Sequence, residues 1–272
     1  MKISIITINY NNAEGVKATL DSVAAQTCYE FEHIIIDGGS TDGSVDIIKD
    51  YVRNVEGVLC NVYWVSEKDK GIYDAMNKGV SKASGDYLYF LNSGDTLFSP
   101  TILKDMVALL DGTDYIIGRV NKTINGQIVG KTDLLSEKDM SLYKMYLYGI
   151  NHQSALIKKD LLMQNPYDIS VKISADWKSF VQAIVIGRAS TKFVDIIFAN
   201  YDISGLSSDI VAIYRERANI ITTIVPERIA RDYIGITPYH QEVIRIEWLL
   251  RHPFFYRVYR AWTTLGRKLL KQ

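Results

Sequence analysis

Cysteine is scarce: only Cys28 and Cys60 occur in the 272 residues. Two thiols at that spacing form neither a disulfide framework nor a metal-ligand pattern, which excludes a stapled mini-fold and a zinc module. A reduced, cytoplasmic setting is therefore the expectation. Net charge is missing as well, since 31 basic residues balance 31 acidic ones; nothing global argues for nucleic acid as a partner. No apolar run approaches the length of a membrane span. The first residues, Met1 to Thr7, carry a short apolar run that soon meets Asn9, Asn11 and Asn12, too short and too polar for a signal peptide. No GxGxxG follows the first strand-like run and no GxxxxGK[ST] occurs anywhere, which disfavours a dinucleotide oxidoreductase and removes a P-loop enzyme. Internal repeats and low-complexity segments are absent too.

What remains is an ordinary globular composition, 47% hydrophobic and 23% charged, long enough to bury a substantial core. Strand-like apolar runs at Lys2–Ile8, Phe31–Ile36, Val62–Val65 and Tyr87–Leu91 alternate with helical stretches. The helices are marked by Leu20, Val23 and Ala24, by Val45, Ile47, Ile48 and Tyr51, and by Ile72–Val80. Such alternation predicts a parallel sheet with right-handed crossovers, whose polar loops all meet at one edge. Beyond Leu110 the rhythm changes. A hairpin is predicted over Tyr115–Val120 and Gln127–Gly130 around Asn125-Gly126. Helix follows over Leu142–Tyr148, strand over Gln153–Ile157, helix over Lys159–Met163, a helix opening at Ser174–Trp177, and strand over Phe193–Ala199.

The stretch Asp86–Asp95 has the strongest functional character. Its apolar half suits a strand buried on both faces, and its end switches to Asn92-Ser93-Gly94-Asp95. Open α/β sheets place ligands at the carboxyl ends of such strands. There Asp95 would face a divalent cation, a hard ion that prefers oxygen. The competing reading is a plain turn, since all four residues favour turns.

Three motifs in order resemble a known family: Ile5-Ile6-Thr7-Ile8-Asn9-Tyr10-Asn11, Ile36-Asp37-Gly38-Gly39-Ser40-Thr41-Asp42-Gly43-Ser44, and Leu91-Asn92-Ser93-Gly94-Asp95. Together they resemble the inverting family 2 glycosyltransferases of GT-A fold. The run Ser66 to Gly79, with Glu67-Lys68-Asp69-Lys70-Gly71 at its start, is similar to the bacterial colanic-acid and surface-polysaccharide branch. Asn151-His152-Gln153 and Ala175-Asp176-Trp177 continue the likeness to about residue 207.

The resemblance implies an α/β, GT-A (Rossmann-like), mostly parallel sheet flanked by helices, with a C-terminal helical extension. Residues 1–207 would form the catalytic domain, 1–118 its nucleotide-sugar half and 119–207 its acceptor half, with 208–272 the extension. It implies transfer of a sugar from a nucleotide-diphosphate donor, UDP most readily, to a glycan or polyprenyl-linked hydroxyl. Donor contacts would come from Thr7, Asn9, Asp37, Glu67, Asp69, Lys70 and Asn92. Asp95 would hold Mg²⁺ or Mn²⁺, Asp176 would be the catalytic base, and His152 and Trp177 would meet the acceptor.

Several of these positions also have a structural alternative. Asp37 and Ser40 would cap a turn; Asp69 would N-cap the next helix; Asp176 would favour a helix dipole; His152 would be a hydrogen-bonded structural residue; Trp177 would be core. Where family members often carry Asp-Asp-Gly-Ser, this chain reads Asp37-Gly38-Gly39-Ser40, lacking the second carboxylate. The family's Asp-any-Asp is likewise reduced to Asn92, Gly94 and Asp95. Tyr201–Ser208 resembles a loop that closes over the donor. Near the end, Phe255, Val258, Tyr259, Trp262, Leu265 and Leu269 recur at helical spacing among Arg257, Arg260, Arg267, Lys268 and Lys271. That pattern predicts an interfacial helix at the inner leaflet, a peripheral rather than spanning association; the alternative is a helix packed on the catalytic domain with its arginines solvated. Two other classes stay open: a sugar nucleotidyltransferase, and a catalytically inactive sugar- or partner-binding module.

Overall fold

The computed structural model describes residues 1–204, 209–257 and 259–260. The chain divides into two compact units, Met1–Arg217 and the segment from Ala218 onward. The boundary expected at 207, the end of the Tyr201–Ser208 loop and residues 258 and 261–272 of the basic tail lie outside the described residues.

In the first unit, β1 (Ile3–Asn9), β2 (Phe31–Asp37) and β4 (Tyr87–Phe90) have no exposed position, as their mostly apolar runs predict; Ser4, Thr7, Glu32 and His33 are buried with them. The edge strand β3 (Asn61–Ser66) is half exposed. Between them lie α1 (Ala13–Ala24), α2 (Ser44–Val55) and α3 (Ile72–Lys82). The rest follows as β5 (Thr96–Leu97), α4 (Ile102–Ala108), β6 (Tyr115–Ile124), β7 (Gln127–Lys131), α5 (Leu142–Leu147), β8 (Ala155–Lys158), α6 (Lys159–Gln164), α7 (Ala175–Phe180) and β9 (Thr191–Asp202). All nine strands form one sheet, ordered β3-β2-β1-β4-β8-β6-β9-β5, with β7 paired to β6. β1, β2, β3, β4, β6 and β9 run one way; β5, β7 and β8 run against them.

This topology builds one edge. The carboxyl ends of β1, β2, β3, β4 and β9 finish there, at Asn9, Asp37, Ser66, the turn after Phe90, and Asp202. β8 is antiparallel to β4, pairing Leu88 with Ile157, so its amino-terminal end starts at the same edge. The strand expected from Gln153 begins two residues later, because His152–Ser154 form a 3₁₀ turn. β5 was not foreseen: two residues carry no periodicity. Its pairing of Thr96 with Asn200 ties the turn after β4 to the end of β9. The helix begun by α7 continues as a π-helix over Val181–Ile186, with Gly187 N–H reaching back to the Gln182 carbonyl.

A buried polar chain runs beneath the edge. Thr7 Oγ1 meets His33 Nε2 at 2.9 Å, and His33 Nδ1 meets the Tyr51 hydroxyl at 2.7 Å. Burial pushes the His33 imidazole down to about 3. The unfolded chain takes up a proton near the ordinary value of 6.5 and the folded one does not, so His33 weakens the fold progressively below pH 6.5. The loss reaches about 2 kcal/mol at pH 5. Compared with His33→Gln, which cancels the other titrating groups, the parent should lose that much relative stability between pH 7 and 5 in denaturant titrations. A constant difference would show that His33 does not stay neutral.

From Ala218 on, the second unit contains the end of α8 (Ile210–Ile224), then α9 (Glu227–Ile236) and α10 (His240–Arg251). No helix among the described residues is long and apolar enough to cross a membrane.

Candidate active site

The β4 strand ends in a tight turn. Asp95 N–H closes on the Asn92 carbonyl at 3.0 Å, and Gly94 sits at φ +104°, a conformation that favours glycine. Thr19 of α1 braces the turn, accepting from Gly94 N–H and donating to the Asp95 carbonyl. The Asp95 side chain points inward and is only 4% exposed. Gln153 Nε2 donates to its Oδ2 at 2.9 Å, and Asp202 N–H donates to its Oδ1 at 3.0 Å. Burial still dominates and pushes this carboxyl up to about 6. A turn alone gives no reason to bury a carboxylate.

Beside it lies a second chain of bonds. Asn92 Nδ2 donates to His152 Nε2 at 3.0 Å, which leaves the ring proton on Nδ1. That nitrogen stands 2.9 Å from Asp176 Oδ2. On the other oxygen, Asp176 Oδ1 accepts from Trp177 N–H at 2.8 Å and lies 3.0 Å from the Tyr73 hydroxyl, which also donates to the Ile173 carbonyl. Burial works against the ionised form of Asp176. The His152 contact and these other donors outweigh it and hold the carboxyl below the usual range. Asn92, His152 and Asp176, expected in three separate roles, are thus brought into one hydrogen-bonded line.

The segment carrying Asp176 is held from α8. Glu216 accepts from Lys172, Ile173 and Ser174 N–H at 2.7, 2.9 and 2.8 Å, filling the amino end of α7 with a carboxylate. The adjacent Arg217 lies over the Trp177 ring at 5.1 Å and donates to the Tyr146 carbonyl. Trp177 itself is 2% exposed, and its indole N–H bonds the Met145 carbonyl. The acceptor-contact expectation for Trp177 is corrected: the ring is core, because no face is left for a sugar.

On the other side of the edge, Asp37 is fully buried and accepts five hydrogen bonds. Asn9 Nδ2 and Ser40 Oγ supply Oδ1, while Gly39 N–H, Ser40 N–H and Ser66 Oγ supply Oδ2. A carboxylate has about four lone-pair directions, so Asp37 organises the loops after β1, β2 and β3. The donor-contact expectation for Asp37 is corrected to this turn-capping role. Thr7 is corrected likewise: it has no exposed surface and its hydroxyl is engaged by His33. Asn9 keeps a buried Oδ1 with no partner.

Glu67 is exposed and salt-bridged to Lys78 of α3 at 2.8 Å; Lys70 is exposed. Asp69 Oδ1 accepts from Gly71 N–H at 2.8 Å, so it braces the turn before α3, whose N-cap is Gly71. Asn77 makes two bonds to the Tyr167 backbone. Sequence reasoning missed Tyr10, Tyr73, Gln153, Glu216 and Arg217. Tyr10, Tyr73 and Gln153 lie within the motifs that carry the resemblance but were given no role there; the Tyr10 ring is 66% exposed.

Among the described residues no group of three or more His, Cys, Asp or Glu stands ready to hold a metal ion. The oxygens at the turn still suit a hard cation that brings further ligands with it. Asn92 Oδ1 is buried with no donor on it, and each Asp95 oxygen has one donor, leaving one lone-pair direction each.

The model of the family described as glycosyl transferase family 2 matches residues 4–160. The chain is 33% identical over 215 residues to a PGL/p-HBAD biosynthesis glycosyltransferase of Mycobacterium bovis (strain BCG / Pasteur 1173P2), covering 76% of this chain and 80% of that one. An uncharacterized glycosyltransferase of Mycobacterium tuberculosis is 33% identical over 211 residues, 76% and 77% of the two chains. Among solved structures, S. aureus TarS 1-349 in complex with UDP-GlcNAc superposes with a TM-score of 0.64 at 20% identity, over 88% of this chain and 72% of that one. The mannosyltransferase PcManGT from Pyrobaculum calidifontis, in complex with GDP-Man and Mn2+, gives 0.58 at 16% identity, over 99% and 85%. The structural likenesses bear on the fold.

Proposed function

The chain belongs to glycosyl transferase family 2 and is a glycosyltransferase; from that premise we propose that it is an inverting enzyme using a nucleotide-diphosphate sugar, with UDP as the carrier. The observation that carries this reading is the line Asn92–His152–Asp176, which ends on an ionised carboxylate beside the Asp95 turn. Asp176 takes the proton of an acceptor hydroxyl as that oxygen forms its bond to the anomeric carbon. The bond to the diphosphate breaks on the opposite face, and its electron pair leaves with the nucleotide. His152 holds Asp176 in place and keeps it ionised.

Asp95 and Asn92 would hold Mg²⁺ or Mn²⁺ together with the donor's phosphates, and the ion's charge would offset the negative charge gathering on the leaving diphosphate. Asn9, Asp69, Lys70 and the exposed Tyr10 ring surround the place proposed for the nucleoside. UDP-GlcNAc and GDP-Man in proteins of similar fold support a donor of this class. The relatives' part in PGL/p-HBAD biosynthesis supports a glycan or lipid-linked acceptor. For the latter, inner-leaflet contact through the second unit is the matching proposal: Trp248, Phe254 and Phe255 are 46%, 71% and 50% exposed, beside exposed Arg251 and Arg257.

The test is a panel of nucleotide sugars with purified protein and Mn²⁺, scored for release of nucleoside diphosphate. Turnover of one donor is expected. Pyrophosphate release from a nucleoside triphosphate and a sugar phosphate would instead establish a nucleotidyltransferase, and donor binding without turnover would establish a binding module.

A further inference from the structure

Gly38 is buried, yet nothing in its backbone demands glycine, since its φ is outside the left-handed region. The demand is for space. A Cβ there would stand 2.6 Å from Asp69 Oδ2 and 3.1 Å from the Tyr10 ring. The carboxylate of Asp69, delivered from the loop after β3, therefore fills the place where a side chain at position 38 would begin. Its two oxygens are not equivalent: Oδ1 is engaged by Gly71 N–H, while Oδ2 lies over Gly38 with no donor on it.

Asp37 cannot serve as the recognising carboxylate, because five donors already exhaust it. Asp69 Oδ2 has no such donors, and the buried Asn9 Oδ1 at the end of β1 has no partner. Asp69 Oδ2 shares the space over Gly38 with an aromatic ring that is two-thirds exposed. A carboxylate oxygen beside an open aromatic face suits a planar heterocycle whose ring nitrogen carries a hydrogen. Uracil has that N–H at position 3, whereas the same nitrogen of cytosine is an acceptor and would face the carboxylate unfavourably.

Resting on the donor class proposed above, we propose that Asp69 is the base-selecting residue. It replaces, from a different loop, the side chain missing at Gly38, and it accepts the ring N–H of the nucleobase. Glycine at 38 and aspartate at 69 are then one device in two pieces.

The experiment is a calorimetric comparison of UDP and CDP binding, with Mg²⁺ present, for the parent, Asp69→Asn, Gly38→Asp, and Gly38→Asp combined with Asp69→Ala. Asp69→Asn keeps the acceptor for Gly71 N–H and the volume, so its fold is expected to survive. It should weaken UDP at least about tenfold, the effect of losing a charged acceptor, and should narrow or invert the preference over CDP. Gly38→Asp alone forces two carboxylates into one space and should lower both UDP affinity and Tm, the latter by about 2–4 °C. The double variant should recover both, with UDP affinity returning to within about threefold of the parent. Unchanged UDP binding in Asp69→Asn, or a double variant no better than Gly38→Asp, overturns this proposal while a parent that binds and turns over UDP-sugar leaves the function standing. A parent that binds no nucleoside diphosphate overturns both.

Discussion

Asp176→Asn is expected to lower the transfer rate by about 10³-fold, within the range contributed by a positioned general base, while the protein stays folded. The second half follows from the hydrogen-bond line. An amide at 176 that keeps its oxygen on Trp177 N–H would turn an N–H toward His152 Nδ1, donor against donor. The imidazole relieves that by moving its proton to Nε2. Asn92 then turns its amide and offers Oδ1, the atom that has no partner in the parent. All three residues reverse together and the line keeps both of its bonds, while the Asn92 amide nitrogen takes the partnerless place that Oδ1 holds in the parent. What disappears is the anionic oxygen that receives the acceptor's proton, and Asn92 Oδ1 turns from the cation position to His152. Initial rates with saturating donor, beside a melting curve, check both parts. A loss under tenfold in a folded variant would remove Asp176 from the base role, and a collapsed melting temperature would show that the line cannot reverse.

Asp95→Asn should do two things at once: abolish transfer and stabilise the protein. Burial raises the folded carboxyl from 3.8 to about 6, so the folded protein carries a penalty for the ionised form that is fully present above pH 6. The penalty fades as pH falls toward 3.8. An amide has no charge to bury. The gain at pH 8 is up to about 3 kcal/mol, from the two pKa values at about 1.4 kcal/mol per unit, and it should shrink toward pH 4. Gln153 can turn its own amide to accept from the new N–H, so no donor is stranded. Denaturant titrations at pH 8 and 4.5 read the stability, and donor turnover reads the function. Equal stabilisation at both pH values would mean that the cost at Asp95 is not electrostatic. Asp95 and His33 pull in opposite directions on acidification, so the parent's stability should change less between pH 7 and 5 than either group alone would cause. A carboxylate kept at the expense of stability is understandable where its charge serves the reaction.

Much of the fold was readable because its causes are local. The runs at β1, β2 and β4 are mostly apolar, which describes a strand covered on both faces, and the Asn125-Gly126 hairpin declares itself by turn chemistry. β5 and the π-helix at Val181–Ile186 were not readable, since two residues have no period and a widened turn leaves the helical pattern intact. The family likeness was borne out, because ordered motifs survive divergence that side-chain contacts do not. The site was legible only as a set of places. Asn92, His152, Asp95 and Asp176 are all at the expected edge. Asp37, Thr7 and Trp177 are spent on the interior; for Asp37 and Trp177 the turn cap and the core were the alternatives open in the sequence, and only the folded contacts decide between them.

Residue order, then, was sufficient for the class of fold and the edge at which chemistry gathers, because hydrophobic period and turn preference act over a few neighbours. It took the folded chain to decide which polar groups are free. Tyr73 reaches Asp176 across 103 positions and Asn92 reaches His152 across 60. Each such bond uses up a lone pair or a proton that the linear chain leaves unassigned. Whether a carboxylate is an organiser, a base or a recognition group depends on how many donors the surrounding loops have already brought to it. That is why Asp37 is closed, Asp176 is held ionised, and Asp69 keeps one oxygen open.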